Sequence, residues 1–385
     1  MQRIWLATIS FQFGHEFHPQ HVVGRIRAPE GPAAHPTLLH GSRFDAPARS
    51  RSYNSNTAIM AACTVVIPAF NHRKYIAQAV HSALDQDIAG LEIIVVDDCS
   101  SDGTWERLQQ FEAEGVKLYQ NPVNIGLFGN FNRCLELSSS PYLRLLCGDD
   151  TLPPRCLGRE VALMEAHPEA VMLSTRGQFV GPSGQRLGEF AADFASGVYE
   201  GSKVPAQWLQ FYAYYRRNPL NYPSGVLIHA GRLRDKVRFN ERFATAGDID
   251  FYFRVLRHGD LLISDTLGSY VTRHASQSHI GPNLDGTAIK EQLSLLDDFG
   301  GQLGDAALRE RLRRQFGGMC LGLAIHRFWS GATRGSAHIH FRLARELAAG
   351  WMGALSGLSK MVAYRVAGAV VGHAAPYVPR PAGPL

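Results

Sequence analysis

The sequence predicts an α/β protein with a mostly parallel β-sheet, flanked by helices and followed by a C-terminal helical extension. Two observations support this fold class. From residue 63 to residue 146, apolar strand-like runs alternate with segments whose apolar side chains recur at helical spacing, which is the pattern of a sheet with right-handed crossovers. Past residue 285, only the helical spacing remains.

The predicted elements follow in a regular order up to about residue 176. The first two strands are apolar throughout, as expected for strands buried on both faces of a sheet. We expect Pro68 to end the first of them. The strands read CTVVI, LEIIVV, VKLY, YLRLL and AVMLS, and the helices between them read HRKYIAQAVHSALDQ, GTWERLQQFEAEG, GLFGNFNRCLELS and CLGREVALMEAHP.

Beyond residue 176 the alternation is lost. Between 176 and 223 we expect loops and helices, with aromatic side chains that form core more often than a ligand-stacking surface. Two further strands, VLI and LLISD, flank a helix in GDIDFYFRVLRHG. The aromatic residues in question are Trp208, Phe211, Tyr212, Tyr214, Tyr215 and Tyr222.

Composition divides the chain into three predicted regions, 1–59, 60–285 and 286–385. Residues 1–59 hold five Pro and five His with no stable period, so we expect them to be disordered, or translation to begin at Met60. Residues 299–385 carry eleven Lys and Arg against three acidic residues, whereas the middle of the chain is net acidic. The basic tail favours an anionic neighbour such as the inner membrane face. Packing of amphipathic helices onto the preceding domain is the alternative.

Several function classes lack their sequence signals. The chain has no G-x-G-x-x-G after the first strand and no G-x-x-x-x-G-K-[ST], which argues against dinucleotide and P-loop nucleotide sites. We also expect no nucleic-acid partner. Its 6 cysteines form no C-x-x-C pair and no zinc spacing, so we expect them to be reduced in a cytoplasmic protein. We find neither a signal peptide nor an apolar run long enough to span a membrane.

Polar clusters recur at the carboxyl ends of the predicted strands, where open parallel sheets bind their ligands. Any one cluster is also what a turn requires. Two of them, however, contain adjacent aspartates, and such pairs repel unless a cation or hydrogen-bond donors compensate. Oxygen ligands of this kind suit a hard divalent ion that also binds substrate phosphates. The clusters are PAFN (68–71), DDCSSDG (97–103), NPVNIG (121–126) and CGDD (147–150).

Taken in order and spacing, these segments resemble family 2 glycosyltransferases of the GT-A fold. The resemblance spans residues 63–280 and implies a sheet that binds a nucleotide-diphosphate sugar and a reaction that inverts the anomeric centre. The segments that carry it are VVIPAFNHRKYIAQAVHSALDQ, IIVVDDCSSDGT, NIGLFGNFN, YLRLLCGDDTLPP, SGVLIHAG and AGDIDFYFR.

The resemblance implies a role for each matching residue of the donor site. Asp98 would accept a hydrogen bond from the base, and Asp97 would support the loop or the ribose. Asn124 and Gly126 would shape the pocket near the ribose and the sugar. The nucleotide pocket would also be lined by Pro68, Ala69 and Asn71.

A divalent metal, Mg²⁺ or Mn²⁺, is implied on the donor diphosphate. Asp149 matches the last Asp of the DxD motif and would bind the metal, with help from Asp150 and His274. The sequence departs from the motif at its first Asp, which is Cys147 here. A neutral thiol is a poor ligand for these ions, so the departure predicts weaker metal binding.

The catalytic base is predicted in AGDIDFYFR. Asp248 takes the base position, although an Asp there would equally suit a helix N-terminal cap. Gly247 replaces the Glu of the family pattern. Asp250 and Arg254, four residues apart, are expected to pair on the helix.

The predicted function is therefore an inverting glycosyltransferase that moves a sugar to a glycan or lipid-linked acceptor in cell-surface polysaccharide synthesis. We expect it in the cytoplasm, peripheral to the membrane. Cys147 and Gly247 favour the alternative of a degenerate, non-catalytic nucleotide-sugar-binding module. A nucleotidyltransferase is a third alternative, but PAFNHRK lacks the glycine that its phosphate loop usually contains.

Overall fold

A computed structural model of the chain describes residues 63–190, 193–215, 218–274, 285–304, 306–329, 334–359 and 381–382. The predicted N-terminal region 1–59 and the start at Met60 lie outside these residues, as does the side chain of Tyr214.

The first part of the described chain alternates strand and helix as predicted. Its elements are β1 (Cys63–Ala69), α1 (Ile76–Leu84), β2 (Leu91–Asp97), α2 (Thr104–Gln109), β3 (Lys117–Gln120), α3 (Leu127–Leu137), β4 (Tyr142–Leu145) and α4 (Cys156–Ala166).

The second part is less regular. Its elements are β5 (Ala170–Val180), β6 (Arg186–Phe190), β7 (Gly197–Tyr199), α5 (Val204–Tyr215), β8 (Val226–Ile228), α6 (Ala230–Leu233), α7 (Gly247–Val255), β9 (Asp260–Thr272), α8 (Thr287–Phe299), α9 (Ala306–Trp329) and α10 (Ala337–Leu347).

The strands form one mixed sheet in the order β3-β2-β1-β4-β8-β5-β9-β7, with β6 paired to β5. Strands β1, β2, β3 and β4 are mutually parallel, and β5 and β9 run the same way because β8 is antiparallel to both β4 and β5. The carboxyl ends of these six strands therefore share one edge. The predicted fold class, a mostly parallel sheet flanked by helices with a helical C-terminal region, is confirmed.

Strand β1 differs from its prediction at Pro68, which does not end it. The strand continues to Ala69 and pairs with β2 throughout, with Pro68 opposite Val96. Proline has no N–H to donate, so it is tolerated only where the ladder does not need one. The pairing of β1 with β4 ends earlier, at Val66 opposite Leu145, so nothing on that side requires an N–H from residue 68.

The expectation of loops and helices between 176 and 223 is wrong in part. Strand β5 extends to Val180, and β6 and β7 form short antiparallel pairs with β5 and β9. Phe190 of β6 stacks on Phe179 of β5, with 4.1 Å between ring centroids. Two aromatic residues of α5, Trp208 and Phe211, are core as predicted, since each is 1% exposed.

Helix α1 packs on the sheet through one face. Ile76, Ala79, Val80 and Ala83 recur at the spacing of one helical face, and each is 0% exposed. Burying one side chain of the size of Val or Ile stabilises the folded protein by about 1.5–3 kcal/mol. This burial fixes the segment 70–75, which leads from β1 into α1 at the carboxyl edge of the sheet.

The C-terminal helices pack against the domain that contains the sheet. Phe299 of α8 meets Phe253 of α7 edge to face at 5.0 Å, and Phe316 of α9 stacks on Tyr212 of α5 at 6.0 Å. For these helices the predicted alternative, packing onto the preceding domain, applies. Within the described residues, no helix is long and apolar enough to cross a membrane.

Candidate functional site

The carboxyl edge of the sheet brings three of the predicted clusters together. Ala69 lies opposite Asp97 in the register of β1 and β2, and the N–H of Asp98 donates to the carbonyl of Ala69 at 2.8 Å. From the other side, Gly148 comes so near to β1 that a Cβ added to it would lie 3.1 Å from the carbonyl oxygen of Pro68. The segments 68–71, 97–98 and 147–150 therefore border one region.

Asp98 holds the loop that follows β3. Its carboxylate accepts hydrogen bonds from the N–H of Ile125 at 2.9 Å, the N–H of Gly126 at 3.0 Å and the side chain of Asn121 at 2.8 Å. The side chain is almost fully buried, with 2% of the residue exposed. Three donors compensate its charge, so its neighbour Asp97 does not destabilise it. Since a carboxylate can accept about four hydrogen bonds, the oxygen that accepts only from Gly126 retains capacity for the base contact predicted for Asp98.

Asp97 is partly satisfied. One carboxylate oxygen accepts from the N–H of Ser100 at 3.1 Å and from Gln120 at 3.0 Å. The other oxygen is buried and has no hydrogen-bond partner among the described residues. A buried acceptor without a donor costs free energy, which makes this oxygen a candidate to receive a donor group of a ligand.

Two loops beside these aspartates are tied together by side-chain bonds. Asn71 has φ of 55°, a left-handed conformation that asparagine tolerates better than most residues. Its N–H donates to Ser100 at 2.8 Å, and its side-chain oxygen accepts from the N–H of Ser101 at 3.0 Å. On the far side, the side chain of Asn124 accepts from the N–H of Gly126 at 3.1 Å. The predicted pocket residues Asn71 and Asn124 thus shape the loops and are themselves exposed.

Asp149 and His274 meet at the ends of β4 and β9. The distance between His274 Nε2 and an Asp149 carboxylate oxygen is 2.9 Å, and the ring of Tyr75 stacks on the imidazole at 4.7 Å. Burial alone would raise the pKa of Asp149, but the hydrogen bond to His274 and the nearby imidazole of His72 outweigh it and hold that pKa below its ordinary value. Asp149 is therefore ionised at neutral pH.

His72 is a residue of this site that the sequence analysis did not single out. It follows β1 directly, and a Cβ added to Gly148 would lie 2.5 Å from its Nδ1, so only glycine fits there. That nitrogen is buried and has no hydrogen-bond partner among the described residues. Burial lowers the pKa of His72 below its ordinary value, and the charge of Asp149 opposes the shift. Its position directly after the first polar cluster, 68–71, is the signal in the sequence.

Asp150 connects three segments. One of its oxygens accepts from the hydroxyl of Ser224 at 2.5 Å, and the other accepts from the N–H of Thr272 at 2.9 Å. Burial, and then the charge of Asp149, raise the pKa of Asp150 well above its ordinary value. Ser224 is 0% exposed and also accepts from the N–H of Cys147 at 3.0 Å. Asp150 therefore fixes the loop after β4 to the end of β9.

The residues after β4 could bind a divalent cation, but they offer it only a few ligands. Potential ligand atoms of Cys147, Asp149 and Asp150 all lie within 4.8 Å of one another. Burial, and then the charges of Asp150 and Asp149, raise the pKa of the Cys147 thiol well above its ordinary value, so it stays protonated and is a weak ligand. Asp150 already accepts two hydrogen bonds. Asp149 remains the main carboxylate, and His274 offers the adjacent nitrogen; Mg²⁺ often binds proteins through only one or two carboxylates plus substrate phosphates.

Asp248 lies in the first turn of α7. Its carboxylate accepts from the N–H of Ile249 at 2.8 Å, while Ala246 occupies the cap position, so Asp248 is not the N-cap residue. Burial raises the pKa of Asp248 to about 7; the N–H of Ile249 opposes this shift, and the charge of Glu291 adds to it. A carboxylate whose pKa lies near neutral pH is suited to general base catalysis.

The replacement of the family Glu by Gly247 has a packing reason. The ring of Phe128, from the first turn of α3, occupies the space beside this glycine, and a Cβ added there would lie 2.5 Å from the ring. Further along α7, Arg254 pairs with the carboxylate of Asp250 at 2.7 and 3.1 Å. The predicted ion pair of Asp250 and Arg254 is therefore present.

The base candidate lies near the loop after β4. The charge of Asp248 adds to the raised pKa of Cys147, after burial and the charges of Asp150 and Asp149, so these two side chains are close enough to interact electrostatically. Phe128 links the loop held by Asp98 to α7, because it follows that loop in the sequence and its ring lies beside Gly247. The start of α7 therefore lies beside the helix that follows the loop held by Asp98.

Comparison with known proteins gives one family and several relatives. Residues 64–243 match the family model described as Glycosyl transferase family 2. A putative teichuronic acid biosynthesis glycosyltransferase, TuaG of Bacillus subtilis, is 37% identical over 103 residues, which is 26% of this chain and 41% of that protein. The Escherichia coli UDP-Glc:alpha-D-GlcNAc-diphosphoundecaprenol beta-1,3-glucosyltransferase WfaP is 28% identical over 102 residues, 26% of this chain and 41% of the relative. The chain thus spans about two fifths of the length of these relatives.

Among solved structures, S. aureus TarS 1-349 in complex with UDP-GlcNAc shares the fold. The match has a TM-score of 0.54 at 16% sequence identity and covers 79% of this chain and 91% of the other.

Proposed function

Because the chain carries a family 2 glycosyltransferase domain over residues 64–243, we propose that it is an inverting glycosyltransferase with Asp248 as its catalytic base. The feature that supports this most is the position of Asp248. Its half-buried carboxylate lies in the first turn of α7 and accepts from the N–H of Ile249 at 2.8 Å, and burial raises its pKa to about 7. Such a group is partly deprotonated at neutral pH and retains the basicity to accept a proton from an acceptor hydroxyl.

Different residues would bind the donor and activate the acceptor. On the donor side, Asp98 holds the loop 121–126, and the free oxygen of Asp97 would receive a donor group of the nucleoside. Asp149 and His274 would hold a divalent cation, Mg²⁺ or Mn²⁺, which neutralises charge on the departing diphosphate when bound. On the acceptor side, Asp248 would take the proton of the attacking hydroxyl.

The donor and the acceptor belong to the same proposal. WfaP is named for a UDP-Glc donor and a diphosphoundecaprenol-linked acceptor, and TuaG for teichuronic acid biosynthesis. We propose a nucleotide-diphosphate sugar as donor and a glycan or lipid-linked hydroxyl as acceptor, in the synthesis of a cell-surface polysaccharide.

Contact with the inner membrane face and a cytoplasmic location are part of this proposal. Large apolar side chains are exposed on the C-terminal helices, and they would suit an interfacial contact together with the basic residues of that region. The exposed fractions are 48% for Phe328, 70% for Trp329, 45% for Trp351 and 80% for Met352.

A donor titration tests the function. The protein is mixed with UDP, dTDP and their sugar conjugates, with and without Mn²⁺, and its melting temperature is recorded. At a hundredfold excess over Kd, one nucleotide should raise the melting temperature by about 2–5 °C, and by less without Mn²⁺. Released nucleoside diphosphate is then measured with an acceptor present. Binding with no turnover would support the degenerate binding module instead, and no binding by any nucleotide would contradict both.

A further inference from the structure

Glu291 of α8 makes an unusual set of contacts with the segment that leads into α7. Its carboxylate accepts hydrogen bonds from the N–H groups of Ala244 at 2.5 Å, Thr245 at 2.8 Å and Ala246 at 2.9 Å. It also accepts from the Thr245 hydroxyl at 2.7 Å. The residue is only 9% exposed, so solvent does little to weaken these bonds.

These donors come directly before the base candidate. Ala246 is the cap residue of α7, so Glu291 accepts from the N–H group of the cap residue itself and from those of the two residues before it. A polar side chain at the cap position would instead accept from N–H groups of the first helical turn. Asp248 follows two residues later. The start of α7 is thereby fixed by a side chain that lies 43 residues further along the chain and outside the matched family segment 64–243.

We infer that Glu291 is a positioning residue for Asp248: it anchors the turn 244–246 to helix α8 and so sets where the base stands. This inference rests on the proposed function, because it assigns Asp248 to proton transfer. Acid–base catalysis requires the base within hydrogen-bond distance of the proton it removes, and a displacement of about 1 Å can reduce the rate about 10²-fold.

The charge of Glu291 gives a second, independent effect. The titratable groups that face Asp248 in the described part of the chain are Cys147 from the loop after β4, Tyr252 from α7 and Glu291 from α8. The pKa values of the Cys147 thiol and the Tyr252 phenol are raised well above their ordinary values, so at neutral pH both groups are uncharged. Burial is the main cause of the raised pKa of Asp248, and the negative charge of Glu291 adds to it. Removing this charge should move the acid limb of the kcat profile to lower pH.

Two substitutions separate the charge from the hydrogen bonds. Glu291→Gln removes the charge. Its amide NH₂ group also cannot accept from the backbone N–H groups, so the hydrogen bonds of one carboxylate oxygen are lost. Glu291→Asp keeps the charge and withdraws it by one methylene group. We expect kcat to fall about 10- to 10²-fold in Glu291→Gln, with the acid limb at lower pH than in the wild type. In Glu291→Asp, kcat should fall while the acid limb of the kcat profile stays at the wild-type pH.

The matched control is Asp298→Asn, which removes one charge from an exposed position of the same helix and should leave kcat and the limb unchanged. Calorimetric binding of UDP shows whether each variant is folded, since Glu291 touches no predicted donor residue. A folded Glu291→Gln variant that keeps the wild-type kcat would overturn the inference, and an acid limb that does not move would refute the effect of the charge. If that variant does not fold, Glu291→Asp decides: an unchanged kcat would refute the positioning role, and a reduced kcat with unchanged donor KM would support it. A wild type without transfer would refute the proposed function itself.

Discussion

Replacing Asp248 by Asn is expected to abolish sugar transfer while leaving donor binding unchanged. The amide cannot take the proton of the acceptor hydroxyl, and a positioned general base contributes about 10²- to 10⁴-fold to the rate. Initial rates with saturating donor measure kcat, and calorimetry with UDP and Mn²⁺ measures donor affinity. A variant that keeps wild-type kcat would remove Asp248 from the mechanism.

The same substitution should stabilise the fold, which shows that lost activity is not unfolding. The pKa of Asp248 rises from 3.8 to about 7 on folding, so the wild type loses stability as the pH rises through this range. Asparagine has no such loss. At pH 8 the free energy of unfolding should increase by about 1–4 kcal/mol, and this gain should shrink as the pH falls toward 4.

Asp250→Asn is the matched control, since it makes the same exchange two residues along the same helix. Asp250 is buried and paired with Arg254, whose side chain is 38% exposed. Losing this pair should cost about 1–3 kcal/mol of stability and leave most of the transfer activity. The two variants are thus expected to change stability and activity in opposite ways.

Replacing Asp149 by Asn is the second large effect we expect. It removes the main carboxylate available to a cation, and it also weakens the contact with His274. A metal that stabilises a departing diphosphate contributes several kcal/mol, so kcat/KM should fall about 10²- to 10³-fold, and added Mn²⁺ should no longer stimulate the reaction. Rates across a Mn²⁺ titration, compared between the two proteins, measure this effect.

Cys147→Asp is the opposite test to Asp149→Asn, because it adds a carboxylate to the candidate metal site. It restores the first carboxylate of the DxD motif beside Asp149, so half-maximal activity should need less Mn²⁺ than in the wild type. If Asp149→Asn keeps the wild-type response to Mn²⁺, Asp149 is not a metal ligand.

The sequence was sufficient to predict the sheet up to β5 and the edge where the site lies. Buried strands such as β1 and β2 are apolar throughout, and the polar clusters that follow them are local in sequence. Parallel neighbours must end at a common edge, so the positions of Asp98 and Asp149 after two such strands are enough to expect them near each other. The ion pair of Asp250 and Arg254 was predictable for a similar reason, since it depends only on helical spacing.

What the sequence did not predict depends on contacts between distant segments. Strands β6 and β7 are short and contain glycine, and they are strands because β5 and β9 offer edges to pair with. The position of Asp98 after a buried strand was predictable, but not its three bonds to Asn121, Ile125 and Gly126. Glu291 stands in an ordinary amphipathic helix, and no local pattern connects it with the turn before Asp248. Gly247 favours the degenerate module in the sequence, and only the structure shows that Phe128 occupies the space of the missing side chain.

The anomeric configuration of the product tests the central claim most directly. A single base that activates the acceptor for direct displacement attacks from the face opposite the leaving diphosphate. We therefore predict that proton NMR of the purified product shows the anomeric configuration opposite to that of the sugar in the donor. A product that retains the configuration of the donor would contradict the role of Asp248 and the mechanism built on it.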